Sequence, residues 1–173
     1  VRSLTPFVVE RGTLGLSAGK KEKKMGIRAS NTSEVILEEV RVPAGNRLGK
    51  EGSGFRAAME TFDLSRPMIG ALAVGVARAA YEAAVKYARE RVQFGKPIAT
   101  QQAIQFMLAD MAMEIEAARA LVFKAAAMAE KQERSLSAYA AMAKAYASDM
   151  AMRVTVDALQ VLGGYGYIRD YPL

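Results

Sequence analysis

Apolar residues recur through most of this chain in steps of three and four, the spacing of helix faces, and only the first fifty residues break that rhythm. Three long helices are predicted. The first runs from about residue 54 to residue 91, with Pro67 bending or restarting it near Asp63 and Arg66. Its later part carries a stripe of Met68, Leu72, Val76, Ala79, Ala83 and Tyr87, with Arg78, Glu82, Lys86 and Glu90 largely opposite. The second starts near Gln101 and carries Ile104, Leu108, Met111, Ile115, Ala118 and Val122. The third begins near Ser135 or Ser137, either of which is a suitable cap. One stripe of that helix is Leu136, Ala140, Ala143, Ala147, Met150, Val154, Ala158 and Val161; Tyr139, Met142 and Tyr146 form a second. A helix apolar on more than one side is packed on more than one side. The pattern therefore asks for a fourth helix or a neighbouring subunit, with the alanines allowing close approach.

Residues 1 to about 50 read as β structure. Phe7, Val8, Val9 and Glu10 form a short strand candidate, and Gly12, Gly15 and Gly19 mark a loop. Residues 35–42 are rich in β-branched side chains and are closed by Pro43 and Gly45. Two or three strands do not make a stable sheet unaided. This stretch reads as the second half of a β domain.

Composition narrows the chemistry. Half of the 173 residues are apolar, enough for a sizeable core. The 24 basic and 18 acidic residues leave a net charge of +6, much of it from Lys20, Lys21, Lys23 and Lys24, which read as a solvated loop. Basic residues along one face with aromatics between them are missing, which argues against nucleic acid as partner. The absence of cysteine excludes disulfides and thiolate metal sites, and the absence of histidine removes the commonest general base and metal ligand. Proton transfer would fall to a carboxylate, lysine or tyrosine. Residues 1–6 lack a signal-peptide core, and no apolar run is read as a membrane span. The missing initiator Met suggests a segment of a longer, soluble, intracellular protein.

Two helix ends carry the candidate chemistry: Arg91-Val92-Gln93-Phe94-Gly95-Lys96-Pro97-Ile98 and Gln160-Val161-Leu162-Gly163-Gly164-Tyr165-Gly166-Tyr167. Read blandly, each is a helix stop, with Gly95 and the glycine pair as caps and Pro97 preventing continuation. Read chemically, each sets a polar or charged residue beside backbone that glycine leaves uncovered, which suits a phosphate-bearing ligand. A third motif, Phe62-Asp63-Leu64-Ser65-Arg66-Pro67, holds an acid–arginine pair three residues apart, which by itself only supports a helix.

In order and spacing, these three motifs resemble the acyl-CoA dehydrogenase family of flavoproteins, and the resemblance runs over the whole chain, closest to short- and medium-chain members. It implies an α+β fold. Residues 1–50 would be the C-terminal part of a middle antiparallel β domain. Residues 51–173 would be the first three helices of a C-terminal up-down four-helix bundle. It implies FAD as cofactor, contacted by Arg91, Gln93, Phe94, Gln101 and Gln102 at one corner. Gln160, Val161, Leu162, Gly163 and Gly164 would contact it at the other, with the flavin held mainly by a neighbouring subunit. The family often carries another residue at the positions matching Gln93 and Gln101. Phe62, Asp63, Ser65 and Arg66 would border the acyl-CoA channel.

The reaction implied is α,β-dehydrogenation of an acyl-CoA to the trans-2-enoyl-CoA. It proceeds in a homo-tetramer that passes electrons to an electron-transfer flavoprotein. The resemblance places such an enzyme in the cytoplasm of a bacterium or in the mitochondrial matrix of a eukaryote. Some members carry the catalytic glutamate where Ser65 stands; serine cannot do that work, so the base is expected beyond Leu173, and the isolated chain is expected to be inactive. Asp110, Glu114 and Glu116 read as helix-surface charges. Two rival readings are a non-enzymatic helical interaction module and an oxidase-like relative that uses oxygen.

Overall fold

The computed structural model describes residues 4–172. The chain divides after Ala58 into two compact units.

The first unit is sparsely regular. Strand β1 (Leu16–Ala18) pairs antiparallel with β2 (Val35–Leu37), in the register Leu16↔Leu37, Ser17↔Ile36 and Ala18↔Val35. The sequence reading placed β1 in a loop because glycines flank it; one of those, Gly15, instead allows the close strand approach. A β-carbon at Gly15 would sit 2.0 Å from the Glu38 carbonyl oxygen, and its φ is +85°. The expected strand over residues 35–42 stops after Leu37, since Glu39 adopts a φ of +50° that extended backbone does not tolerate. The candidate strand at residues 7–10 reduces to a single bridge, Phe7↔Arg47, flanked by the Val8 N–H donating to the Asn46 carbonyl at 2.9 Å. Pro6 has no N–H to extend that ladder.

The second unit is helical. Helix α1 (Gly54–Glu90), whose first residues belong to the first unit, is followed by strands β3 (Val92–Gln93) and β4 (Lys96–Pro97), then α2 (Gln102–Glu130) and α3 (Leu136–Leu162). Pro67 neither ends nor restarts α1: it lies buried inside one uninterrupted helix. Ser135 holds the N-cap position of α3 without a capping side-chain hydrogen bond, and Ser137 lies inside the helix. Of the two serines the sequence offered, Ser135 thus takes the cap position, without the side-chain hydrogen bond expected of a cap.

The core is built largely from small side chains. Ala77, Ala80, Ala84 and Ala88 of α1 meet Met111, Ile115, Ala118, Val122 and Ala125 of α2, and Ala143, Ala147, Met150, Val154, Ala158 and Val161 of α3. The stripes predicted for α2 and the first stripe of α3 run along these buried faces. That for α1 does not. Met68 is 70% exposed and Leu72 and Val76 also face outward, while the buried stripe consists of Pro67, Gly70 and the four alanines. Packing selects the face whose small residues permit close approach. At Gly70 a β-carbon would stand 2.9 Å from Val122 Cγ2 and 3.2 Å from the Ala143 carbonyl oxygen.

Several ion pairs lie on the helix surfaces. Arg153 of α3 pairs with Glu114 of α2 at 3.0 Å, which holds the guanidinium pKa above its ordinary value. Arg78 pairs with Glu82 at 2.7 Å with the same consequence. Lys124 donates to the Tyr139 hydroxyl at 3.1 Å, linking α2 to α3. Contrary to the sequence reading, α1 is long and apolar enough to cross a membrane by length and composition, with a mean hydropathy of 1.4 over its best window. That criterion is also met by core helices, and the alanine stripe of α1 packs in the core.

Candidate functional site

The segment after α1 is not a glycine-capped helix stop. Strands β3 and β4 form a two-residue hairpin in the register Val92↔Pro97 and Gln93↔Lys96. Its tip residues Phe94 and Gly95 have φ of +54° and +77°. Two consecutive positive φ values are the signature of a type I′ turn, whose twist matches that of the strands. Glycine adopts this conformation freely, whereas phenylalanine at the first position is unusual. The tip leaves the Phe94 ring 94% exposed.

This turn fixes the backbone of Arg91. Its N–H donates to the Tyr87 carbonyl at 2.8 Å, closing the last turn of α1, and its carbonyl accepts from the Ile98 N–H at 2.9 Å. The guanidinium forms no ion pair with a carboxylate among the described residues; instead it lies 5.1 Å from the centre of the Tyr165 ring.

The far end of α3 arrives at the same place. Gly163 caps the helix at φ +58° and ψ −133°, its N–H donating to the Gln160 carbonyl, and residues 163–167 continue as a short 3₁₀ turn. The three glycines differ in what requires them. Gly163 needs its positive φ, and Gly166 is needed for packing, since a β-carbon there would lie 2.7 Å from the Leu159 carbonyl oxygen. Gly164 needs neither: its φ is not in the left-handed region, and a β-carbon would meet no atom within 4 Å.

Between these ends opens a cavity of about 430 Å³ lined by Tyr87, Arg91, Gln93, Ile98, Val161, Leu162, Gly163, Gly164, Tyr165 and Ile168. Of the ten residues expected at the cofactor, the structure brings together Arg91, Gln93, Val161, Leu162, Gly163 and Gly164. Phe94, Gln101, Gln102 and Gln160 are outside its lining: Gln101 is the N-cap of α2, and Gln102 and Gln160 are exposed on helix ends. The Gln93 amide donates to the Val92 carbonyl at 2.8 Å.

Sequence reasoning assigned no ligand role to Tyr87, Ile98, Tyr165 or Ile168. Tyr87, read as core, does pack against it and also lines the cavity, where it was legible as a neighbour of Arg91 one helical turn earlier. Burial raises the Tyr87 hydroxyl above its ordinary pKa, with Arg91 pulling it the other way.

The third motif forms a separate cluster. Asp63 Oδ1 accepts from the Arg66 guanidinium and, at 3.1 Å, from the Ser137 hydroxyl, joining α1 to the start of α3. Arg66 also lies 5.7 Å from the centre of the Phe62 ring, and the Ser65 hydroxyl donates back to the Phe62 carbonyl at 3.4 Å. None of Phe62, Asp63, Ser65 and Arg66 lines the larger apolar groove of about 840 Å³ between α1 and α2; their neighbours Leu64, Pro67 and Met68 do. Glu114 and Glu116 are engaged with Arg153 and Arg119 on helix surfaces, and Asp110 is exposed.

Residues 52–173 match the model of the acyl-CoA dehydrogenase C-terminal domain. The chain is 52% identical over 170 residues to the cyclohexane-1-carbonyl-CoA dehydrogenase of Geobacter metallireducens, covering 98% of this chain and 44% of that protein. Against a short-chain-specific acyl-CoA dehydrogenase of Megasphaera elsdenii it is 53% identical over 171 residues, again 98% of this chain and 44% of the relative. The solved structure of butyryl-CoA dehydrogenase from Megasphaera elsdenii superposes with a TM-score of 0.96 at 51% identity, covering 99% of this chain and 44% of that one. The chain thus spans less than half the length of the relatives it matches. A three-helix array with its hairpin corner, together with these matches, establishes that this chain belongs to the acyl-CoA dehydrogenase family.

Proposed function

We propose that the protein containing this chain is an FAD-dependent acyl-CoA dehydrogenase that converts an acyl-CoA to its trans-2-enoyl-CoA, and that the cavity between the hairpin and the end of α3 receives the dinucleotide part of FAD. Members of this family are FAD-dependent. The observation that carries the reading is the convergence of Arg91 and Gly164, far apart in sequence, on one cavity. The residues present fit the group. Arg91 offers a cation without a carboxylate partner among the described residues, and Gly164 exposes backbone with free space where a β-carbon would stand. Ile98 and Tyr165 give apolar walls beside the Arg91 guanidinium.

Bound FAD supplies the hydride acceptor. This chain's own residues bind and orient: Arg91 and the backbone at Gly163 and Gly164 hold the pyrophosphate, with Gln93 beside it. Phe94, Gln101, Gln102 and Gln160, outside the cavity lining, are assigned to the parts of the dinucleotide that extend beyond it. Asp63 and Arg66, with Phe62 and Ser65, are assigned to the border of the acyl-CoA channel, where Asp63 fixes the direction of Arg66. No residue here is assigned as the base: the Ser65 hydroxyl donates to a backbone carbonyl, Glu114 and Glu116 sit in surface pairs, and Asp110 is exposed. The base belongs to a segment beyond Leu173. The exposed apolar faces of α1 and α3 fit a homo-tetramer in which FAD is shared between subunits, with an electron-transfer flavoprotein as acceptor. In that assembly α1 is a bundle helix and not a membrane span. The reading places the enzyme in the bacterial cytoplasm or the mitochondrial matrix.

The test is a spectrum and a titration of the full-length protein. It should purify yellow, its flavin absorbance should bleach when butyryl-CoA is added without oxygen, and Arg91→Ala should weaken FAD binding at least tenfold. A colourless protein, or an Arg91→Ala variant that binds FAD like the parent, would overturn the assignment.

A further inference from the structure

Three tyrosines form a cluster in which each ring meets the other two, and two of them, Tyr87 and Tyr165, adjoin Arg91. Tyr87 and Tyr165 have ring centres 6.4 Å apart, Tyr87 and Tyr171 meet edge to face at 5.6 Å, and Tyr165 and Tyr171 are 5.5 Å apart. These separations fall in the range in which aromatic quadrupoles attract. Tyr87 is fixed by α1, while Tyr165 and Tyr171 come from the chain after α3. Only Tyr165 stands beneath the Arg91 guanidinium, at 5.1 Å.

Ring packing alone would place such a cluster in the core. Here Tyr87 and Tyr171 do pack against the core, but Tyr87 and Tyr165 also line the cavity, and Tyr165 is 40% exposed. A cation–π contact holds the guanidinium by its charge and consumes none of its five N–H donors. An ion pair with a carboxylate would consume donors and cancel the charge. The contact therefore restrains a long, flexible side chain before a ligand arrives and leaves its recognition chemistry available, which is preorganisation in the physical sense.

We infer that Tyr165, braced by Tyr87 and Tyr171, is a positioning residue that holds the Arg91 guanidinium toward the phosphate oxygens of an anionic dinucleotide. The inference rests on the FAD reading of the cavity and adds to it a residue that acts through Arg91.

The experiment uses the full-length apo-protein and follows FAD binding by quenching of flavin fluorescence, with folding of each variant checked by circular dichroism. Tyr165→Phe keeps the ring and should bind FAD within about twofold of the parent. Tyr165→Leu should bind about fivefold more weakly, equivalent to about 1 kcal/mol at 1.4 kcal/mol per tenfold. In an Arg91→Ala background, Tyr165→Leu should cause no further loss, because its effect passes through the arginine. If Tyr165→Leu does not fold, Tyr165→Met is judged by the same criteria.

Full affinity in the Tyr165→Leu protein, with Arg91→Ala impaired, overturns the positioning role and leaves the FAD reading standing. Losses that add in the double variant also overturn it, since Tyr165 would then act independently of Arg91. Unchanged affinity in Arg91→Ala overturns the FAD reading itself.

Discussion

Replacing Gly164 by alanine separates a ligand-facing glycine from glycines that the fold itself requires. At Gly164 the added methyl meets no atom within 4 Å and the backbone is not left-handed. On structural grounds the substitution should therefore leave the apo-protein as stable as before, or raise its stability by about 0.4–1 kcal/mol through a less flexible unfolded chain. The two neighbouring glycines predict the opposite. Alanine at Gly163 must adopt φ +58° and ψ −133°, at a cost of about 1–3 kcal/mol. Alanine at Gly166 would be driven to 2.7 Å from the Leu159 carbonyl, with an overpacking cost of about 1–3 kcal/mol. Binding should reverse the order. If phosphate oxygens lie against the Gly164 backbone, the methyl occupies their space, and about 1–3 kcal/mol of overpacking becomes roughly a five- to hundredfold loss in FAD affinity. The assay is paired: thermal midpoint of the full-length apo-protein, and Kd for FAD by fluorescence quenching, for all three variants. A Gly164→Ala protein that keeps its midpoint and its FAD affinity would refute the ligand-facing assignment. So would one whose affinity falls only in step with lost stability.

Three further perturbations test the scaffold that holds the site. The raised pKa of Tyr87 means that the folded protein keeps that proton longer than the unfolded chain, so the associated stability is complete below about pH 10 and is lost as pH rises through the folded-state value. Tyr87→Phe should flatten the decline of the apo thermal midpoint above about pH 10, and parallel alkaline slopes would contradict this. Ser137→Ala removes one of the two donors to Asp63 and should lower stability by at most about 1 kcal/mol, measured by denaturant titration, because the donor is exposed; a loss several times larger would mean that the α1–α3 tie is misjudged. Gly70→Ala sets a helix-propensity gain of about 1 kcal/mol against about 1–3 kcal/mol of overpacking on Val122 and the Ala143 carbonyl, giving a net loss. Adding Val122→Ala should recover part of that loss in a double-mutant comparison, and strict additivity would show that the two sites do not touch.

The existence of three helices was legible because their apolar spacing persists over many turns; which face of α1 is buried was not. Met68, Leu72 and Val76 form the more hydrophobic stripe, yet the bundle buries Gly70, Ala77, Ala80, Ala84 and Ala88. Hydrophobicity ranks faces by transfer energy, whereas helix packing also ranks them by how closely two backbones can approach, and a single sequence displays only the first. Pro67 misled for a related reason. An internal proline costs a hydrogen bond and a steric clash, but a long helix anchored on both sides by packing absorbs that cost. The β segment was the least legible, because β1 gains its place only from a partner distant in sequence and from the room that Gly15 leaves.

The site was legible to the extent that its geometry is local. Arg91, Gln93 and the segment from Val161 to Gly164 reach the cavity because each lies at the end of a helix whose length the periodicity already fixed. Phe94 shows the limit. A glycine following an aromatic residue after a helix reads as a cap, yet the chain turns through a type I′ hairpin that carries the ring out of the cavity lining. The same turn returns the Ile98 N–H to the Arg91 carbonyl and so fixes the arginine at the cavity wall. An aromatic side chain is thus held at a backbone angle it rarely adopts, and is exposed, on the element that positions the principal cation. Residues held in sparsely populated backbone regions persist where the surrounding structure over-determines them. At this corner the paired strands supply that constraint, and under the proposed function the exposed ring is left for the part of the dinucleotide outside the cavity.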